Sequence, residues 1–171
     1  MTEPENSSIR RSKVGEQRTS RKTLASGGPR LGSSAAISIP FLHIAEVTAA
    51  AIAARGLRRV AILGVRKTME GNFYEQILAR HGLEAIIPNE GEKTFIHDSI
   101  YDELVQNQFR DETRQEYQRI IRALGARGAD CVALACTEIP LLLKPEDAPL
   151  PAFSTTELHC QAAVARALKL D

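Results

Sequence analysis

The sequence predicts an α/β fold in which a parallel sheet is flanked by helices. Short apolar runs at residues 59–63, 84–88 and 130–135 have the length and character of strands buried on both faces. Between these runs, apolar residues recur at three- and four-residue spacing, which is typical of amphipathic helices. Strands that alternate with helices pair in parallel, so one layered domain is expected.

The composition is that of a soluble globular protein. The chain has 171 residues, of which 43% are hydrophobic and 25% charged. Its net charge of +1 favours neither nucleic acid nor an anionic membrane as a partner. No apolar run approaches the roughly 18 residues needed to span a bilayer. The three cysteines have neither metal-site nor disulfide spacing, so no metal is expected and a reducing cytoplasm is the predicted location.

The first residues differ in kind from the rest of the chain. Residues 1–30 contain seven basic and three acidic side chains and show almost no apolar periodicity. Such a segment cannot bury enough apolar surface to offset the entropy of ordering. We therefore predict a disordered basic leader over residues 1–36, an α/β domain over 37–152 and a C-terminal helical segment over 153–171. A targeting peptide or a nucleic-acid arm is an alternative for the leader, although its acids and lack of aromatics favour neither.

The first half of the domain alternates helix and strand. An alanine-rich helix over residues 44–55 is expected to end before Gly56. A buried strand over 59–63 follows. Thr68 is then expected to cap a helix that runs to about residue 81, and a second strand is expected over 84–88.

The second half repeats this alternation. Thr94 is expected to cap one helix, and Asp111 or Thr113 to begin the next. A strand over 130–135 precedes Pro140, a residue favoured in the first turn of a helix. The apolar faces of the helices are predicted at Ile96, Ile100 and Leu104, at Tyr117, Ile120, Ile121 and Leu124, and at Leu158, Ala162, Ala165 and Leu168.

Cys136 is the first candidate for chemistry, because it lies at the predicted end of the third strand and precedes Thr137 and Glu138. In open α/β sheets, ligands bind outside the carboxyl ends of the strands. A nearby helix N-terminus would favour the thiolate. A lone cysteine is more often a small buried hydrophobe, but polar neighbours at a strand end favour a functional thiol. Cys131 lies about 17 Å down the same strand, at roughly 3.3 Å per residue, and core packing is expected for Cys160.

Six ordered motifs carry a resemblance to a known family. They are Pro40-Phe-Leu-His-Ile44, Leu63-Gly-Val-Arg-Lys-Thr-Met69, Phe73-Tyr74, Ile100-Tyr-Asp-Glu-Leu104, Ala135-Cys-Thr-Glu-Ile139 and Phe153-Ser-Thr-Thr-Glu-Leu-His159. From Ile39 to about Leu170, the chain resembles the aspartate/glutamate racemases, and in particular the branch that acts on amino acids.

The resemblance implies a cofactor-independent isomerase. One residue would remove the α-proton of the substrate and another would return a proton on the opposite face. The carbanion-like state needs strong electrostatic stabilisation and a thiol of tuned pKa. The resemblance implies that Cys136 is one of these acid/base residues. It also implies a substrate-binding role for four residues, which are Thr68, Thr137, Glu138 and His159. Among them, Glu138 would orient or tune the thiol. A plain helix cap, a helix N-terminal acid and a structural histidine are the alternatives for Thr68, Glu138 and His159. Aspartate, glutamate or a similar small amino acid or dicarboxylate is the expected substrate.

The resemblance covers only part of the family's chain, which consists of two similar halves facing each other across the active site. This sequence matches the second half and the terminal helix, so the other acid/base residue is expected to be absent and activity impaired. Val65 and Ser154 also replace a hydroxyl and a carboxylate of the family. The terminal helix would lack its usual cover, which a homodimer or a separate first-half chain could supply. The alternatives are a catalytically inactive racemase-fold fragment acting as a binding or interaction module, and a hydantoin racemase, maleate isomerase or decarboxylase.

Overall fold

The structure is a computed structural model that describes residues 41–169. These residues form four strands and seven α-helices. In chain order the elements are α1 (Ile44–Ala54), β1 (Arg59–Leu63), α2 (Arg66–Glu70), α3 (Asn72–Arg80), β2 (Glu84–Ile86), α4 (Glu90–Asp102), α5 (Asp111–Ala126), β3 (Cys131–Leu134), α6 (Ile139–Leu142), β4 (Ala152–Ser154) and α7 (Thr155–Leu168). Short 3-10 turns lie at Leu104–Gln106 and Pro145–Asp147. The leader predicted over residues 1–36 lies outside the described residues.

The sheet is parallel throughout, in the order β2-β1-β3-β4, and the predicted fold class is confirmed. Its two central strands are buried on both faces, as their apolar sequences predict. Val60 and Ile62 pack into a core with α1 and α3, whereas Ala61 and Leu63 pack into a second core with α4 and α5. Because successive side chains of a strand point to opposite faces of the sheet, the apolar residues of β1 contribute alternately to the two helical layers.

The chain reverses its direction of travel across the sheet between β1 and β3. After β1 it crosses to β2 over the face that carries α3, and it then returns over the face of α4 and α5 to β3, on the other side of β1. The loops that follow β1 and β3 therefore leave neighbouring strand ends at the point where the strand order reverses. Such a switch point is where open α/β sheets bind ligands.

Two predicted helix starts are wrong. Val65, rather than Thr68, precedes α2, so that Thr68 lies inside a five-residue helix that ends before Gly71. The Thr94 cap is wrong because α4 begins after Asn89. The Asn89 Oδ1 atom accepts from the Glu92 N–H at 3.0 Å, and Glu92 Oε2 accepts from the Asn89 N–H at 2.8 Å. This reciprocal capping box satisfies two groups at the start of α4.

The apolar faces predicted for α4 and α5 are confirmed, since all seven residues are buried, although Leu104 lies in the 3-10 turn that follows α4. The first helix ends at Ala54, close to the predicted residue 55, and Gly56 follows it with a φ of 73°. The second strand is shorter than predicted, because it ends at Ile86. None of the helices between residues 41 and 169 combines the length and the apolar character that spanning a bilayer requires.

The strand β4 was not predicted. It pairs in parallel with β3 and lies across the boundary predicted between residues 152 and 153. The helix that follows, α7, packs on α1. On its predicted apolar face Leu158, Ala162 and Ala165 are half-buried, whereas Leu168 is 63% exposed.

Candidate functional site

Cys136 lies at the carboxyl edge of the sheet, two residues beyond the end of β3. Its side chain is half-buried and packs on the core formed with α4 and α5. The Ala135 N–H donates to the Leu63 carbonyl at 2.7 Å, so the ends of β3 and β1 meet immediately before the thiol. Cys136 thus stands at the switch point of the sheet and is a partly exposed residue.

The Glu138 side chain contacts both Cys136 and Thr137. The Cys136 thiol donates to Glu138 Oε2 at 2.9 Å, and the Thr137 hydroxyl donates to the same oxygen at 2.6 Å. Glu138 occupies the N-cap position of α6, but its side chain makes no capping bond within the described residues. Its carboxylate is therefore directed at the thiol and the hydroxyl rather than at the helix.

The thiol is held in its protonated form. Burial, and next the hydrogen bond to Glu138, raise the pKa of Cys136 to about 11, against 9.0 for an ordinary thiol. The N–H groups of Glu138 and Ile139 act in the opposite direction. The hydrogen bonds from the thiol and from Thr137 lower the pKa of the Glu138 carboxyl. The expectation of a thiolate is wrong for this conformation, because burial and a carboxylate outweigh the dipole of a four-residue helix.

Thr68 is brought close to this loop through Gly64. A Cβ atom added at Gly64 would lie 2.9 Å from the Ala135 carbonyl oxygen and 3.1 Å from Thr68 Cγ2. Only a glycine permits such an approach without displacing backbone, because real Cβ atoms avoid contacts this short. The half-buried side chain of Thr68 is therefore separated from the backbone of the Cys136 loop by little more than the glycine itself.

His159 makes a different contact. Its Nε2 atom lies 3.0 Å from the Leu42 carbonyl oxygen and ties the first turns of α7 to the segment before α1. Close by, His43 Nδ1 accepts from the Ala45 N–H at 3.1 Å and caps α1. Burial lowers the pKa of His43. This hydrogen bond joins His159 to the segment before α1 and not to the Cys136 loop.

The other two cysteines, and the two residues that differ from the family pattern, are explained by their structural surroundings. Cys131 is fully buried, and burial raises its pKa to about 12. Core packing of Cys160 is wrong, because this residue is exposed. Val65 packs on the core, and Ser154 Oγ caps α7 by accepting from the Glu157 N–H at 3.3 Å.

Two further features bear on ligands. Among residues 41–169, no group of three or more His, Cys, Asp and Glu side chains is placed to hold a metal ion. A groove of about 210 Å³ is lined by Arg55, by Pro145 and by residues of α1, β4 and α7, which include Phe153 and Gln161. Cys136 does not line this groove, so the groove is not the site described above.

Comparison with known proteins relates this arrangement to a family. A family model for Asp/Glu/hydantoin racemases matches residues 34–163. A crystal structure from Yersinia pestis assigned to the Asp/Glu racemases is 39% identical over 76% of this chain, with a TM-score of 0.72. An aspartate racemase homologue from Pyrococcus horikoshii is 30% identical over 77% of this chain, with a TM-score of 0.71.

A more distant structure shares the fold. It is the aspartate racemase of Picrophilus torridus, 23% identical over 74% of this chain, with a TM-score of 0.60. The chain spans 57% of the length of each of the first two structures and 52% of the third. The similarity therefore includes the sheet and the Cys136 loop but leaves over 40% of each relative unmatched.

Proposed function

Because the chain belongs to the Asp/Glu/hydantoin racemase family, we propose that it takes part in racemising a small amino acid of the aspartate or glutamate type in the cytoplasm, with Cys136 as one of the acid/base residues. The observation that carries the proposal is the half-buried thiol at the sheet's switch point, 2.9 Å from the carboxylate of Glu138. A thiol with a carboxylate in contact can lose and regain a proton without metal or cofactor.

The protonation states suggest how the step proceeds. With its pKa raised, Cys136 holds a proton that it can deliver to a carbanion-like Cα: the S–H bond breaks, a C–H bond forms and a thiolate remains. This thiolate is strongly basic, because it lies in a half-buried position beside an ionised carboxylate. A strong base suits the reverse transfer, since an α-proton beside a carboxylate is very weakly acidic.

Substrate binding would alter the partner of the thiol. We assign the hydroxyls of Thr68 and Thr137 to the substrate carboxylate. Thr137 donates to Glu138 in the structure, so this reassignment removes a bond that stabilises the Glu138 carboxylate. Glu138 then accepts a proton from Cys136 more readily. His159 is left out of the substrate contacts, because its Nε2 atom is already bonded to the Leu42 carbonyl.

A second acid/base residue is needed on the opposite face of the substrate. The chain spans 57% of two related structures, and we propose that this residue belongs to a partner, either a separate chain carrying the first half or a second copy. The isolated chain is then expected to exchange an α-proton but to return the new one to the same face. Exchange would therefore be faster than racemisation.

The test follows the α-proton of each enantiomer of aspartate and glutamate in heavy water by NMR, and the enantiomers by chiral chromatography. We expect exchange of one enantiomer, with racemisation at least about tenfold slower. Cys136→Ala should abolish exchange, whereas Cys160→Ala, which removes an exposed cysteine on α7, should not. No exchange by the wild-type chain at high concentration would reject catalysis. Stabilisation by dicarboxylates without exchange would instead favour a binding module.

A further inference from the structure

Four charged side chains join α2 to α4 at the edge of the sheet that carries Cys136. Arg66 Nη1 lies 2.8 Å from Glu70 Oε1 and 3.1 Å from Glu90 Oε2. Lys93 Nζ lies 3.0 Å from Glu70 Oε1 and also contacts Glu90. Each cation thus pairs with both carboxylates, and we call these four residues the α2–α4 network.

The network is unusual because Lys93 is nearly buried, with only 11% of its side chain exposed. An ammonium group is rarely withdrawn from water unless it is paired. The partner carboxylates of Lys93 are more exposed, at 41% for Glu70 and 76% for Glu90. Ion pairs open to water contribute little to the free energy of folding, so stability alone explains the network poorly. Ionic groups can instead fix the register of one element against another.

The element that needs fixing is α2. It has five residues, too few to be stable as a helix by themselves, and Met69 is its buried residue. The helix is interrupted at its end by Gly71, whose φ of −76° and ψ of 132° are those of extended backbone. Continuation into α3 therefore does not hold α2 in a longer helix.

Further contacts tie the same segment to α4. Arg66 Nη2 donates to Thr94 Oγ1 at 2.7 Å, and the Arg66 backbone N–H donates to His97 Nδ1 at 3.2 Å. The four charges of the network balance one another. Arg66 and Lys93 are consequently occupied by neighbouring carboxylates rather than being available to a ligand.

We propose that Arg66, Glu70, Glu90 and Lys93 are positioning residues, which hold α2 on α4 so that the Thr68 side chain stays beside the Cys136 loop. The consequence for substrate binding rests on the proposed function, in which the Thr68 hydroxyl binds the substrate carboxylate. The network acts on the reaction through Thr68 and does not touch the reacting atoms. Sequence reasoning missed it, because its members lie up to 27 positions apart and carry no shared local motif.

Hydrogen exchange measured by mass spectrometry tests the holding of α2 directly. The N–H groups of Thr68 and Met69 donate to the Val65 carbonyl and report on this helix. In Glu70→Gln and in Lys93→Met, exchange of peptides covering residues 66–70 should be at least about tenfold faster than in the wild-type chain. Lys93→Arg keeps the cation and should remain within about twofold.

Arg119→Met is the matched control, because it removes an ion pair with Glu116 on the surface of α5. It should leave exchange at residues 66–70 unchanged. Unaltered exchange at residues 66–70 in a folded Glu70→Gln chain would overturn the proposal, and this variant decides the question if Lys93→Met fails to fold.

Activity provides a separate readout. If the wild-type chain exchanges the α-proton of a substrate, Glu70→Gln should raise KM several-fold and leave kcat nearly unchanged, and Lys93→Arg should behave as wild type. A purely structural role would lower the amount of active protein without raising KM. If the wild-type chain exchanges no α-proton, the proposed function fails, whereas hydrogen exchange still decides whether the network positions α2.

Discussion

Glu138→Gln should make the Cys136 thiol more acidic. In the wild-type chain, the ionised carboxylate accepts the thiol proton and repels the thiolate, and both effects raise the pKa of Cys136. The amide of glutamine carries no charge, so it removes the repulsion and weakens the hydrogen bond to the neutral thiol. The pKa of Cys136 should therefore fall in Glu138→Gln, and the fraction of thiolate at a given pH should increase.

The magnitude follows from the pKa of the thiol. With a pKa of about 11, roughly one thiol in a thousand is ionised at pH 8, against about one in ten at the ordinary 9.0. Burial is the largest cause and persists in the variant, so we assign about one pKa unit to Glu138. This change gives about tenfold more thiolate. A less basic thiolate is a weaker nucleophile, with a Brønsted coefficient of about 0.45, so the net gain in alkylation rate is about threefold.

The assay measures alkylation of Cys136 by iodoacetamide between about pH 7 and pH 11, with peptides identified by mass spectrometry. The exposed Cys160 is an internal reference, since its rate should be the same in both proteins. Glu157→Gln, which removes another acid from the start of a helix, is the matched control. A midpoint that stays in place or moves to higher pH in Glu138→Gln would refute the assignment of Glu138 as the group that holds the thiol proton.

Two further predictions concern stability. Burial raises the pKa of Cys131 to about 12, so the folded chain keeps this proton at a pH where the unfolded chain, with its ordinary thiol, releases it. The free energy of unfolding should therefore fall as the pH rises above about 9. In denaturant titrations, Cys131→Ala should lose on the order of 1 kcal/mol less of this free energy per pH unit than the wild-type chain. Equal slopes in the two proteins would contradict this. Asn89→Ala removes the cap of α4 and should cost about 1 kcal/mol, whereas Asn72→Ala, at an exposed position of α3, should stay within about 0.5 kcal/mol.

The strands and helices that could be predicted are those with a strong local period. β1 and β3 are apolar throughout because both of their faces are buried, and the stripe from Tyr117 to Leu124 reflects one buried face of α5. The same reasoning placed Cys136 at a strand end, because the apolar run stops there. These features depend on neighbours in sequence, so the sequence alone carries them.

The features that escaped prediction depend on tertiary contacts. β4 has three residues in a proline-rich stretch, and it forms because β3 offers it an unpaired edge. The protonated state of Cys136 depends on the distance from its sulfur to Glu138, which no spacing rule provides. The start of α4 is a different case, since Asn89 and Glu92 have the spacing of a capping box and could have been identified from the sequence.

The lengths of the outer strands limit how this chain can associate. Both β2 and β4, which flank the sheet formed by the described residues, contain three residues each. A foreign strand laid along either border could therefore make only a few backbone hydrogen bonds, which is one way in which proteins avoid uncontrolled aggregation. A specific binding partner would gain few backbone hydrogen bonds by adding a strand to the sheet. It would have to approach through side chains, over the helices or across the open end where the thiol is found.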